Sequence, residues 1–333
     1  MAAVNTVLAS VGRVQTPLWG LLLLSIVTLL FALTQGSVSL SPYQVWQAFT
    51  GESATLANTL VLELRLPRIL AAFATGGLLA VAGALMQVLL RNPLAEPYVL
   101  GISGGASVAA LLAILIGVSG VFLSGAAFVG AIVSTVLVFG LTQLKTAASS
   151  LRLLLTGVVI AAGWGALITL ILALAPPQKL PGMLYWLMGD LAYAGSPWPA
   201  WVVLVAVCLI LFPLGRSLNV LGRGALQAAS LGINVKRLER GVFVLASVLT
   251  AVAVTTAGSV GFVGLVVPHL LRMVLGNDQR IILPASALAG GCLLTLADTL
   301  ARTVIAPEQL PVGVITALLG VPTFLLLLHR GRL

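Results

Sequence analysis

Side chains able to do chemistry are scarce in this sequence, and the most concentrated group is basic. In the string RLPR, Arg65 and Arg68 flank Leu66 and Pro67. A guanidinium is a planar fork of donors that grips a carboxylate at two points, so this pair could receive acidic groups from outside. The plainer role for the same residues is to anchor a helix end, with apolar stems buried and charged tips in water. Asp298 and Arg302 stand four apart, a spacing that puts them on one helix face as an ion pair, although a carboxylate in an apolar run can also carry a proton. His269 follows Pro268 within an apolar run and reads as a hydrogen-bonded structural histidine. Cys208 and Cys292 have no metal-ligand spacing and read as apolar fillers. The sequence contains no GxxxxGK[ST] phosphate loop, and its apolar runs hold neither an Asp-rich metal motif nor a Ser and His pair. ATP hydrolysis, if it drives this protein, therefore belongs to another chain, and an intramembrane enzyme has no visible catalytic cluster.

The elements that must carry these residues follow from composition. Of 333 residues, 60% are hydrophobic and 8% charged, against about 25% charged in an ordinary soluble domain. Lipid is the solvent in which such an exterior costs nothing. A bilayer core about 30 Å thick takes about 20 helical residues at 1.5 Å each. Ten apolar runs of that order lie near 18–35, 69–90, 97–117, 121–143, 153–175, 197–215, 241–258, 260–276, 283–301 and 312–329. The chain thus reads as one all-α transmembrane domain over 1–333. The first run is expected to be retained, because TQGSVSLSP offers no small-x-small cleavage site. Pro268 is expected to kink or end the eighth helix. Gly101 with Gly105, and the cluster from Gly258 to Gly264, mark close helix crossings.

Ten spans divide the connections into two sets. One set holds thirteen of the 17 Lys and Arg, and the other holds Arg65, Arg68, Lys179 and Arg302. Basic residues favour the cytoplasmic side, so both termini are expected there and the four minority bases outside. The bases are scattered between apolar runs and form no stripe for nucleic acid. Residues 36–67 would form an outer segment with a short interfacial helix around SPYQVW. Residues 216–240 would form the longest cytoplasmic connection, with a short amphipathic helix or helix pair bounded by Gly224 and Gly232. That helix is either packed on the protein's own helix ends or is a docking knob for a partner.

The strings RLPR (65–68), RNPLAEPYVLGISGGA (91–106), ALQAASLGI (225–233), GSVGFVGLVVPHLLR (258–272) and LPVGVITALLGVPTFL (310–325) resemble the permease subunits of type II ABC importers, which take up iron(III)-siderophores, haem and cobalamin. The likeness runs from about residue 18 to residue 330. It implies a ten-helix permease in the cytoplasmic (inner) membrane, paired with a second copy of itself, two ATPase subunits and a periplasmic or lipid-anchored substrate-binding protein. ATP and Mg would be bound by the ATPase, and no cofactor by this chain. By the same resemblance, Arg65, Arg68 and Arg302 receive acidic residues of the binding protein. Leu221, Gly222, Ala228, Leu231 and Gly232 belong to the segment that couples to the ATPase, and Ser149 and Ser150 fall at the cytoplasmic gate. Reversing Arg65 and Arg68 to Glu is then expected to abolish uptake and leave the fold intact. Iron chelates rank first as cargo and cobalamin second. An ion-coupled secondary transporter is the alternative class.

Overall fold

A backbone in lipid has no water to pair with, so each apolar run must satisfy its amides internally, which a helix does. The computed structural model describes residues 2–51, 55–143, 150–192 and 194–329, except the side chains of 2–16, 55, 56, 143, 150, 151 and 328. All regular structure among them is helical. In chain order the helices are α1 (Ala2–Thr34), α2 (Pro42–Thr50), α3 (Thr55–Asn58), α4 (Leu66–Leu89), α5 (Ile102–Leu115), α6 (Gly120–Gln143) and α7 (Ser150–Leu174). They continue as α8 (Leu180–Met188), α9 (Trp198–Arg223), α10 (Ala225–Ser230), α11 (Val235–Ala257), α12 (Val263–Leu275), α13 (Gln279–Thr303) and α14 (Val312–His329).

Among the described residues, seven helices are long and apolar enough to cross a membrane: α1 from Pro17, α4 with the turns before it, α6, α7, α9, α11 and α13. The other three expected runs form the shorter apolar helices α5, α12 and α14. The predicted outer helix is α2, started by a capping box in which Ser41 Oγ accepts from Gln44 N and Gln44 Oε1 accepts from Ser41 N. A π-helical stretch, Thr59–Arg65, runs directly into α4. Arg65 therefore lies within continuous helix.

At the centre stands α4, 94% of whose spanning window is buried, whereas 11% of α7 is. Val158, Val159 and Leu170 of α7 lie exposed, a face that only lipid or another apolar surface can cover. Close approach to α4 depends on glycine. Gly76 packs on the backbone of Gly290 in α13, and Gly83 on that of Gly264 in α12, each so near that a methyl group would overlap a carbonyl. Gly105 of α5 meets Gly130 of α6 in the same way. The expected crossings at Gly105 and Gly264 are thus present.

Pro268 does not end α12. Its missing N–H strips the Gly264 carbonyl of its helical partner, and Gln87 of α4 fills the place. Gln87 Nε2 lies 3.5 Å from Gly264 O and 3.2 Å from Leu265 O, while its Oε1 accepts from Arg272. The chain between α11 and α12 is held by the stretch before α5 and by its first turn. Glu96 Oε1 accepts from Phe262 N at 2.8 Å, Tyr98 OH from Val260 N at 3.1 Å, and Ser103 Oγ lies 3.0 Å from Ser259 Oγ. Phe262 adopts φ 69°, a left-handed conformation costly for a non-glycine residue, and Glu96 holds its amide there. Val312 N also donates to Gly189 O, and Asp190 N to Ala257 O, each at 2.9 Å, which binds the starts of α14 and of the α8 to α9 connection into this junction. Irregular backbone is tolerated in a membrane protein when its polar groups are met in this way.

Candidate docking and coupling surfaces

The three arginines singled out in the sequence converge at one end of α4 and α13, but they do not project freely. Arg68 Nε and Nη2 reach Asp298 Oδ1 at 3.0 and 2.8 Å, and Nη1 donates to Gln309 Oε1 at 2.7 Å. Arg302 Nε lies 3.1 Å from Asp298 Oδ2, which makes the expected four-residue pair real. Asp298 is 1% exposed and Arg68 12% at the side chain, so one buried carboxylate serves two guanidiniums. Arg65, 5% exposed, donates to Leu33 O at 2.7 Å and also to Val38 O. It ties the end of α1 and the turn after it to α4. Gln309, on the connection between α13 and α14, also lines an open vestibule of about 970 Å³ together with Tyr185, Trp186, Asp190, Thr255 and Thr256. Hydroxyls, aromatic rings and one carboxylate thus border the arginine cluster.

At the opposite end, α9 continues to Arg223 and the chain turns at Gly224 into α10. Ala228 is fully buried against the helix ends, whereas Leu226 is 89% and Leu231 68% exposed. These two large apolar side chains, on a short helix outside any span and at its end, stand uncovered among the described residues. Leu221 points the other way, at 1% exposure, into the core. Gly222 has open space where a side chain would stand. Gly232, at φ 79°, makes the left-handed turn that ends α10, in a conformation glycine accepts without strain. Ser149 and the side chain of Ser150 lie outside the described residues.

Residues 22–330 match the family model described as the FecCD transport family. This chain belongs to that family. The FecCD chain is similar along its length to the hemin transport system permease protein HmuU of Yersinia pestis, 39% identical over 96% of this chain and 98% of the relative. It is 41% identical to the vitamin B12 import system permease protein BtuC of Vibrio cholerae over 89% of this chain and 88% of the relative. A solved structure of a metal-chelate type ABC transporter in an inward-facing conformation superposes with a TM-score of 0.84 at 31% identity, covering 95% of this chain and 99% of that one. The fold is therefore that of a type II ABC importer permease, and the FecCD chain is a multi-pass transport subunit.

Three features of this permease escape its sequence. Asp298 was legible as a partner for Arg302 but not for Arg68, because their contact spans 230 positions. Gln87 sits in an apolar run that gives no hint of its partners. His269 is buried, yet its Nε2 has no hydrogen-bond partner among the described residues, which corrects the expectation of a hydrogen-bonded histidine at that atom. Cys292 is buried, with Sγ 3.2 Å from Ser25 Oγ, and Cys208 is half-buried, and neither is in a disulfide.

Proposed function

We propose that this permease forms the membrane path of an ATP-driven, binding-protein-dependent importer that carries a bulky iron chelate, a siderophore complex or haem, inward across the cytoplasmic membrane, with cobalamin as the second candidate cargo. The observation that carries this reading is its near full-length similarity to permeases named for hemin and for vitamin B12. The sequence carries no nucleotide-binding loop, which supports ATP hydrolysis and its Mg on a separate chain. Leu226 and Leu231 support α10 as the contact for that ATPase, because their exposed apolar surface gains about 25 cal/mol per Å² when covered. A second copy of the chain would cover exposed span surface, and the uneven division of basic residues supports cytoplasmic termini.

Docking of a binding protein at the arginine cluster would proceed by exchange. In the undocked chain Asp298 already holds Arg68 and Arg302, so an incoming carboxylate must compete with it or add to the fork through Nη1 of Arg68, which Gln309 occupies. A path that bound cargo tightly would not release it, so the vestibule's scattered hydroxyls and rings suit transient contact. The test is reconstitution in proteoliposomes with the candidate ATPase and binding protein, loaded in turn with haem, ferric siderophore and cobalamin. Uptake that needs ATP and all components is expected. Uptake driven by an imposed proton gradient through this chain alone would overturn the reading.

A further inference from the structure

A polar cavity of about 650 Å³ opens among the ends of α4, α9 and α12 and the start of α13, away from the arginine cluster of the other end. Arg91, Arg223, Arg272 and Arg280 line it. Only Asp278 opposes them on the wall, and it is engaged by Arg280 at 2.6 Å and by Asn219 at 2.8 Å. Among the described residues, Glu239 of α11 is a second carboxylate within electrostatic reach, beside Arg91. Four guanidiniums against two carboxylates leave the cavity net positive. Arg272 has only neutral partners, Gln87 Oε1 and Ala84 O, and Arg223 has no ion-pair partner among the described residues.

Val88 and Leu218 add an apolar wall to the same cavity. Gln279 stands on it, 5% exposed, with Oε1 lacking any partner among the described residues. The combination fits one kind of occupant. Guanidinium forks match a phosphodiester, and the apolar wall matches the glycerol ester region beneath it. The cavity is also formed by the ends of spans, on the side to which the basic-residue rule assigns the cytoplasm, where an anionic leaflet supplies such phosphates at high local concentration.

We infer that this cavity is a binding site for an anionic phospholipid headgroup, of the phosphatidylglycerol type, held by Arg91, Arg223 and Arg272 at the cytoplasmic ends of α4, α9 and α12. The site rests on the membrane topology of the transport reading but not on its cargo or energy source. Its occupant would brace α4 against α9 next to α10.

The full-length chain, with any subunits that co-purify, is titrated in neutral detergent with phosphatidylglycerol or with phosphatidylcholine, and retained lipid is read by native mass spectrometry. Phosphatidylglycerol should be retained in preference, and Arg91→Gln with Arg223→Gln should lower its retention roughly tenfold while phosphatidylcholine is unaffected. Arg91→Lys with Arg223→Lys, which keeps the charge, should retain most of it. If the double glutamine variant unfolds, Arg223→Gln alone, on an exposed helix end, should show a fall of roughly threefold. Equal retention of the two lipids, or no loss in the variants, would overturn the site. Displacement of the lipid by inorganic phosphate in excess would assign the cavity to a free anion instead. Unchanged lipid retention with loss of ATPase assembly would make it a protein socket. Since no arm measures transport, failure here is distinct from failure of the importer reading.

Discussion

Arg68 of α4 and Asp298 of α13, 230 positions apart in sequence, meet through Nη2 and Oδ1 at 2.8 Å, with Asp298 almost wholly buried. Because Arg302 shares the same carboxylate, removing Asp298 strands two largely buried guanidiniums. Asp298→Asn should therefore destabilise the chain by about 3 kcal/mol or more, the usual result of breaking a buried pair from one side. Thermal unfolding in detergent measures it; an unchanged midpoint would mean that the pair does not hold α4 to α13.

The same geometry changes what a docking mutant can report. Arg68→Glu would set a second carboxylate against Asp298, and Arg65→Glu would face the carbonyls of Leu33 and Val38, so charge reversal here attacks the fold as well as docking. Gln309→Glu is the cleaner probe, because it charges the partner of the outward Nη1 of Arg68 without stripping Asp298. It should leave expression and unfolding near wild type and weaken capture of an acidic binding protein several-fold at low salt. Equal capture in pull-down titrations would remove Arg68 from the docking surface.

Gln87 offers a double-mutant cycle. Gln87→Leu leaves the Gly264 and Leu265 carbonyls and the Arg272 guanidinium short of a partner, at a cost of about 1–3 kcal/mol. In a Pro268→Ala background the new N–H can reclaim the Gly264 carbonyl, so the cost of Gln87→Leu should shrink by at least about 0.5 kcal/mol. Additive costs in chemical unfolding would show that Gln87 does not serve the carbonyl freed by the proline.

These contacts mark where sequence reasoning stops. Ten apolar runs were legible because hydropathy and helix rise set their length, and Asp298 with Arg302 because a helix brings residues four apart together. Gly224 and Gly232 announced α10 for the same local reason. The partner of Arg68 was not legible, since it depends on α4 packing beside α13 through Gly76 and Gly290. Arg65 was read as facing out because it falls in the connection before the second apolar run, on the side with few basic residues. The π-helical stretch before Pro67 instead carries the helix through and aims the guanidinium at the end of α1. For Pro268 the sequence left a kink or an end open, because no sequence rule names the amide that would serve its orphan carbonyl.

Asp278 caps α13 and links pH to stability. Hydrogen bonds from Arg280, reinforced by Asn219, hold its carboxyl down to about 2 against burial, which acts the other way. A lowered value in the folded chain means that its contribution is whole above the ordinary carboxylate value near 4 and is lost as pH falls toward 2. Asp278→Asn keeps a capping side chain but not the charge, so it should flatten that acid limb by lowering stability near pH 7 while leaving it close to wild type near pH 2. A limb of unchanged steepness, followed by thermal unfolding from pH 5 to about 2, would place the acid sensitivity elsewhere.

Leu226, Leu231 and Leu221 are spaced by five and separate folding from coupling. The first two are exposed on α10 and its end, while Leu221 is enclosed by the core, so the same chemical change should have opposite signatures. Leu231→Asp adds charge where water already reaches, and the chain should fold and insert as before. It should lose the ATPase, because a desolvated carboxylate in an apolar contact costs several kcal/mol. Leu221→Asp buries that carboxylate within the permease and should abolish the folded chain itself. Co-purification of the ATPase, scored beside size-exclusion profiles of the permease alone, distinguishes the cases. An intact complex with Leu231→Asp would mean that α10 is only a turn between α9 and α11, and that the ATPase docks on another surface.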